Sequence, residues 1–248
     1  MDIKIPYTPR KHQSFLHNQI SKHRWSVLVC HRRFGKTVCM INHLIRSALL
    51  SKQKNPRYAY ISPTFKQSKS IAWDYMKQFT NKIPYIKFNE TELRVDLPNG
   101  ARITLLGSEN SDGLRGIYLD GCVIDEYANV HSKLFPEIIR PALSDRKGYC
   151  VFIGTPQGMN NNFYELYQHA QGADDWFNYK AKASDTKIVD EDELVKAKEV
   201  MGEKKYLQEF ECDWIANIEG AIFNDTLSKM EDGKQLTRVP YDPSLPVS

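Results

Sequence analysis

A short apolar run, "WSVLVC" (25–30), leads directly into "HRRFGKT" (31–37). Apolar residues then recur at Val38, Ile41, Ile45, Ala48 and Leu49. The first stretch has the length and make-up of a buried strand, and the last has the spacing of a helix. A strand apolar at every position is buried on both faces, so it needs strands beside it and helices above and below. The loop between the two ends in Gly35-Lys36-Thr37, as a phosphate-binding loop does. The usual pattern is G-x-x-x-x-G-K-[ST], and Cys30 stands where the first Gly is expected. That Gly mainly eases a tight turn, so another residue is tolerated where the turn is less tight.

More strands follow in alternation with helices. "YAYIS" (58–62), "GCVIDE" (121–126) and "YCVFIGT" (149–155) read as strands, and the stretch from about Lys66 to Phe79 reads as a helix. "LRVDLPNGARITLLG" reads as a hairpin turning at Pro98-Asn99-Gly100. The pattern predicts an α/β fold with a mostly parallel central sheet flanked by helices. From about Asp174 the chain becomes charged and helical, with an interruption near Gly202. The expected division is a core over 1–173, a small helical lid or linker subdomain over 174–236, and a linker over 237–248. The last segment, "RVPYDPSLPVS", carries three prolines and reads as extended.

Bulk properties narrow the function classes. The chain has 248 residues and a net charge of +4, too small a surplus to argue nucleic-acid binding by itself. Its five cysteines form no C-x-x-C pair and lie mostly in apolar runs, so they are expected as reduced core thiols. The N-terminus lacks an apolar signal core, and no run reaches membrane-spanning length. A cytoplasmic protein with no membrane partner is expected.

Several residues carry candidate chemistry. Backbone N–H groups of Arg32, Arg33, Phe34 and Gly35, with the helix N-terminus behind them, can wrap the phosphates of ATP. Lys36 would reach the β and γ phosphates, and Thr37 would ligate Mg2+. Asp125 and Glu126 end an apolar strand, so they fall at the sheet edge where the loop lies. Asp125 would hold Mg2+ partly through water, and Glu126 would act as general base. Thr155 ends another strand and presents a hydroxyl near the expected γ-phosphate. No N-K-x-D loop for reading guanine is present. An arginine fork stabilises a transferred phosphoryl group, so Arg32 and Arg33 are candidates within the site. Arg115 in "SDGLRGIYLD", then Arg140 and Arg146, are candidates to act on a neighbouring subunit. Gln13 could pair with the adenine edge, or be a polar residue on an amphipathic helix.

In order along the chain, these stretches resemble the ATPase domain of the large terminase subunit of tailed bacteriophages. "HRRFGKT" is similar to that family's phosphate loop, which commonly lacks the first Gly and carries an Arg four residues before the Lys, here Arg32. "YISPTFKQSKSIAWDYMK", "LPNGARITLLG", "GLRGIYLDGCVIDEYA", "RPALSDRKG" and "FIGTPQGMNNNFYELY" continue the likeness. The resemblance implies a P-loop NTPase fold of the additional-strand, catalytic-glutamate type. It implies ATP hydrolysis with Mg2+, driving double-stranded DNA into a procapsid in the host cytoplasm. It assigns the adenine role to Gln13, the trans arginine to Arg115 and coupling of hydrolysis to movement to Thr155. Implied partners are DNA, the portal protein, the small terminase subunit and further copies of the chain in a ring, with a monomer expected in isolation. Large terminases usually add a nuclease domain, and the chain's end resembles the linker into it, so nuclease chemistry is expected elsewhere. Two alternatives stand beside this reading. A two-lobed helicase-type translocase would need a second motor lobe for which the chain has no room. A degenerate nucleotide-binding scaffold conflicts with intact Lys36, Asp125 and Glu126.

Overall fold

The computed structural model describes residues 4–109, 114, 116–215 and 230. Among these, eight strands form one sheet in the order β3-β4-β5-β2-β6-β7-β1-β8. The chain enters through α1 (Lys11–Ile20), then β1 (Trp25–Cys30), the loop, and α2 (Lys36–Leu50). All six residues of β1 are buried, the five apolar ones and Ser26 with them. β2 (Arg57–Ser62) follows. Next come α3 (Phe65–Gln67), a π-helical turn over Ser68–Ala72 and α4 (Trp73–Thr80), where a single helix is expected from the sequence. The capping box of Thr64 with Gln67 starts this run, and the wide turn shifts its apolar face so that Trp73, Met76 and Phe79 point inward.

The expected hairpin is β4 (Arg94–Asp96) against β5 (Arg102–Gly107), antiparallel, with Gly100 at φ 82° in its turn. A three-residue strand, β3 (Lys87–Asn89), pairs outside β4. It is too short to show an alternation in sequence. β6 (Gly121–Ile124) and β7 (Tyr149–Gly154) are the remaining expected strands. Between them lie a π-helical stretch over Leu134–Ile139 and α5 (Arg140–Ala142). β5, β2, β6, β7 and β1 run parallel. β7 separates β6 from β1, so one strand is inserted between the acidic strand and the loop strand.

The expected boundary at 173/174 is corrected here. After α6 (Asn162–Gln171) comes β8 (Trp176–Ala181), which pairs in parallel with β1 over its full length. Its residues are half-buried and mixed in character, so "WFNYKA" carries no strong strand period. Sheet pairing, a tertiary contact, makes it a strand. The helical part begins after it, with α7 (Ala183–Thr186), α8 (Glu191–Met201) and α9 (Glu203–Phe210). Gly202 joins the last two, as expected from the sequence. Beyond α9 the chain returns to the core: Trp214 packs its ring against Phe163, Tyr164 and Tyr167 of α6. The linker expected over 237–248, and most of 216–236, lie outside the described residues.

The sheet has an apolar cluster on each face. One holds α1, α2 and α4 through Leu16, Met40, Leu44, Trp73 and Met76. The other holds Phe135, Ile139, Phe163 and Trp214. All five cysteines are buried and unbridged.

Candidate nucleotide site

The loop follows β1 at the C-terminal edge of the parallel strands, and β6 and β7 end beside it. Cys30 is the last residue of β1, its side chain in the core. The sharp turn comes later, at Arg33 (φ 71°) and Gly35 (φ 88°). A Gly is therefore not needed at residue 30, and this is the physical account of the departure from the usual pattern. A Cβ on Gly35 would stand 3.0 Å from Gln13 Nε2, so glycine is required there on both counts.

Lys36 bends back over the loop. Its Nζ donates to Cys30 O (3.0 Å), His31 O (3.3 Å) and Thr155 Oγ1 (3.1 Å). An ammonium has three donors, and these three acceptors match them. Thr155 is thus brought to Lys36, although 119 residues separate them. Thr37 opens α2. Phe34 is fully buried against the rings of His12 and His31, so its side chain cannot face a nucleotide. Burying it contributes about 1.5–3 kcal/mol to holding the loop on the core. That leaves the Phe34 backbone, the group expected to meet the phosphates, as its part of the loop.

Asp125 and Glu126 come together at the end of β6. Asp125 Oδ1 accepts from its neighbour's backbone, Glu126 N (2.9 Å), and Oδ2 accepts from the phenol of Tyr60. Burial raises the Asp125 pKa above the ordinary carboxylate value. Glu126 sits in the left-handed region (φ 48°, ψ 48°), which is uncommon for a non-glycine residue. Burial first, and then the charge of Asp125, pushes its carboxyl up to about 7. A carboxylate at that pKa exchanges a proton near neutrality, which suits a general base.

Arg32 is engaged with α9. Its N–H donates to Glu209 O (2.8 Å) of α9, and its guanidinium lies 3.8 Å from Glu209 Oε2. Lys205 pairs with the same carboxylate at 3.3 Å. Its neighbour His31 ties the loop to the start of the helical part: Nδ1 lies 2.6 Å from Arg32 O and Nε2 lies 2.8 Å from Thr186 Oγ1. Arg33 is exposed. Glu209, Thr186 and Tyr60 have no sequence signal, because each meets the loop through tertiary contact alone.

Gln13 is buried beside the loop, with its amide already engaged. Oε1 accepts from Arg10 N (3.0 Å) and Tyr7 OH (3.4 Å), and Nε2 donates to Gly35 O (3.3 Å). One N–H remains, so a two-handed adenine contact would require Gln13 to release a partner. Arg140 and Arg146 lie at the opposite edge of the sheet. Arg140 stands 5.7 Å from the ring of Trp25, the first residue of β1. Arg146 pairs with Asp120 (3.6 Å), donates to Lys54 O (3.1 Å) and covers the Tyr118 ring (4.4 Å). Its fork is engaged on its own chain. Arg115 lies outside the described residues.

A parallel sheet, a Gly-Lys-Thr loop at its C-terminal edge, an inserted strand, and an Asp-Glu pair beside the lysine define a P-loop NTPase fold of the additional-strand, catalytic-glutamate type. The family described as "Terminase large subunit, T4likevirus-type, N-terminal" matches residues 29–230, and the chain belongs to it. It is similar to the terminase large subunit of Thermus virus P23-45, with 25% identity over 182 residues, covering 66% of this chain and 36% of that protein. A 60-residue stretch is 40% identical to the terminase large subunit of Thermus phage G20c, covering 24% of this chain and 12% of that one. The chain thus spans about a third or less of these curated relatives. The fold is shared with the large terminase ATPase domain of Thermus phage P74-26, at TM-score 0.72 and 20% identity, covering 85% of this chain and 96% of that one. It is shared too with the large terminase of another thermophilic bacteriophage in complex with ADP, at TM-score 0.71 and 14% identity, covering 83% and 53%.

Proposed function

We propose that this domain hydrolyses ATP and, within a large terminase, uses that energy to drive double-stranded DNA into a viral procapsid. The observation that carries the reading is the meeting of Lys36, Thr155, Asp125 and Glu126 at one edge of the sheet, in a member of the terminase family. The loop amides and the N-terminus of α2 bind the phosphates. Lys36 exchanges its loop carbonyls for phosphate oxygens, and Thr155 stays within reach of it to register what Lys36 holds. The donor set of Thr37, Asp125 and Glu126 is all oxygen, which fits Mg2+. Thr37 and Asp125 would hold it, and when bound it neutralises charge on the β and γ phosphates. Glu126 accepts the proton of the attacking water. Arg32 lies on the loop itself and can turn its fork to the γ-phosphate if Glu209 lets it go.

Nucleotide binding here is supported by the large terminase of that second thermophilic phage, one structure of which contains ADP and another ATP-γ-S. Gln13 is proposed to act mainly on the loop, by holding Gly35. The portal protein, the small terminase subunit and a ring of copies are the proposed partners, with Arg115 acting on the neighbour's site. Phosphate release from ATP with Mg2+ tests the reading. Turnover should vanish in Lys36→Ala, whose loop loses its point charge. Undiminished turnover in a homogeneous preparation of that variant removes the assignment.

A further inference from the structure

Tyr60 lies on β2, one strand away from Asp125's own strand and two further from the loop. It is fully buried, and its phenol reaches the site from behind. The hydroxyl donates to Asp125 Oδ2. A phenol has one proton to give, and that carboxylate oxygen takes it. The other oxygen of Asp125 is held by Glu126 N, so the carboxylate is fixed at both ends.

We propose that Tyr60 is a positioning residue of the nucleotide site, holding Asp125 so that its carboxylate is aimed toward a divalent cation that arrives with nucleotide. This rests on the nucleotide-site reading above. A carboxylate that ligates through one face must be held on the other, and Tyr60 and the Glu126 amide do that. Buried groups of this kind hold metal ligands in one orientation, and their removal typically lowers metal affinity by about 10–100-fold. Nothing in "YAYIS" marks Tyr60, because a tyrosine in a strand is ordinary β-sheet composition.

The test uses the whole chain, ADP as nucleotide and Mn2+ as a cation visible by electron paramagnetic resonance. In Tyr60→Phe, metal-free ADP should bind within about twofold of wild type, while Mn2+ binding to the ADP complex weakens by about tenfold. A general loss of packing would weaken both. Mn2+ affinity equal to wild type overturns the proposal. As a second measurement, Asp125→Asn is compared with the Asp125→Asn, Tyr60→Phe pair. Equal Mn2+ affinity in these two supports action through Asp125, and a further tenfold loss overturns it. Wild type that binds neither ADP nor Mn2+ would instead sink the nucleotide-site reading, and this proposal with it.

Discussion

At Glu126 the backbone and the charge state are set together. The residue takes a left-handed conformation that a β strand would not allow, directly after the Asp125 that follows β6. That turn keeps its carboxyl beside Asp125, and the two charges in a buried place raise its pKa to about 7. Glu126→Gln keeps the size and removes the proton acceptor. Turnover should fall by about 10²–10⁴-fold, with ATP affinity within a few-fold of wild type. Equilibrium binding of a fluorescent ATP analogue alongside phosphate release measures both, and loss of binding with turnover would make Glu126 structural. Glu126 was legible as a candidate because an apolar strand ending in Asp-Glu is a readable pattern. Its conformation was not, since no local residue preference favours a positive φ at a glutamate.

At the scale of elements, the helical part is held to the loop by the bond from Arg32 N to Glu209 O, the contact of His31 with Thr186 and a cluster of charges. α8 and α9 meet at Gly202, with φ 78° and ψ 160°. That region is essentially restricted to glycine, and side chains there cost about 1–3 kcal/mol. A Cβ on Gly202 would meet nothing within 4 Å, so Gly202→Ala strains the backbone without a clash. The strain relaxes if α9 tilts, and the bond from Arg32 N to Glu209 O is the link that should loosen. Hydrogen exchange at the Arg32 amide should speed up by about tenfold or more, while amides of α6 stay unchanged. Unchanged exchange at Arg32 would mean that α9 is anchored independently of Gly202. The interruption at Gly202 can be read in the sequence. That Glu209 is the residue meeting the loop cannot, because it does so through its backbone carbonyl and carboxylate, which an amphipathic pattern does not mark.

Over the whole molecule, a histidine pair records how tightly α1 and α2 are packed. His17 and His43 are stacked with ring centroids 5.4 Å apart and Nδ1 atoms 3.1 Å apart. Tyr7, Cys39 and Tyr149 close around them, and Arg46 is the nearby positive charge. Burial lowers His17 from 6.5 to about 4 and His43 to about 3. The unfolded chain therefore takes up protons below about pH 6.5 that the folded chain refuses. Their contribution is intact above that pH and is lost as pH falls toward 4 and then 3. Glu126 works the other way: its raised folded pKa gives stability as pH falls through about 7. Urea unfolding at about pH 7 and about pH 5 separates the two. Wild type should lose about 1–3 kcal/mol more over this range than a His17→Asn, His43→Asn double variant. Equal losses would show that the pair is not buried as neutral imidazoles.

The loop, its strand and helix, the acidic strand end and Thr155 can be read along the chain, because each is a local pattern: apolar run, helical spacing, Gly-Lys-Thr, Asp-Glu. The α/β class is legible for the same reason. That β8 joins the sheet, that Gln13 braces Gly35, that Arg32 leans on Glu209 and that Tyr60 stands behind Asp125 emerge from folding alone. Those facts depend on which surfaces meet across the sheet. A half-buried strand or a buried phenol looks ordinary along the chain, and it acquires its role from a partner tens of residues away.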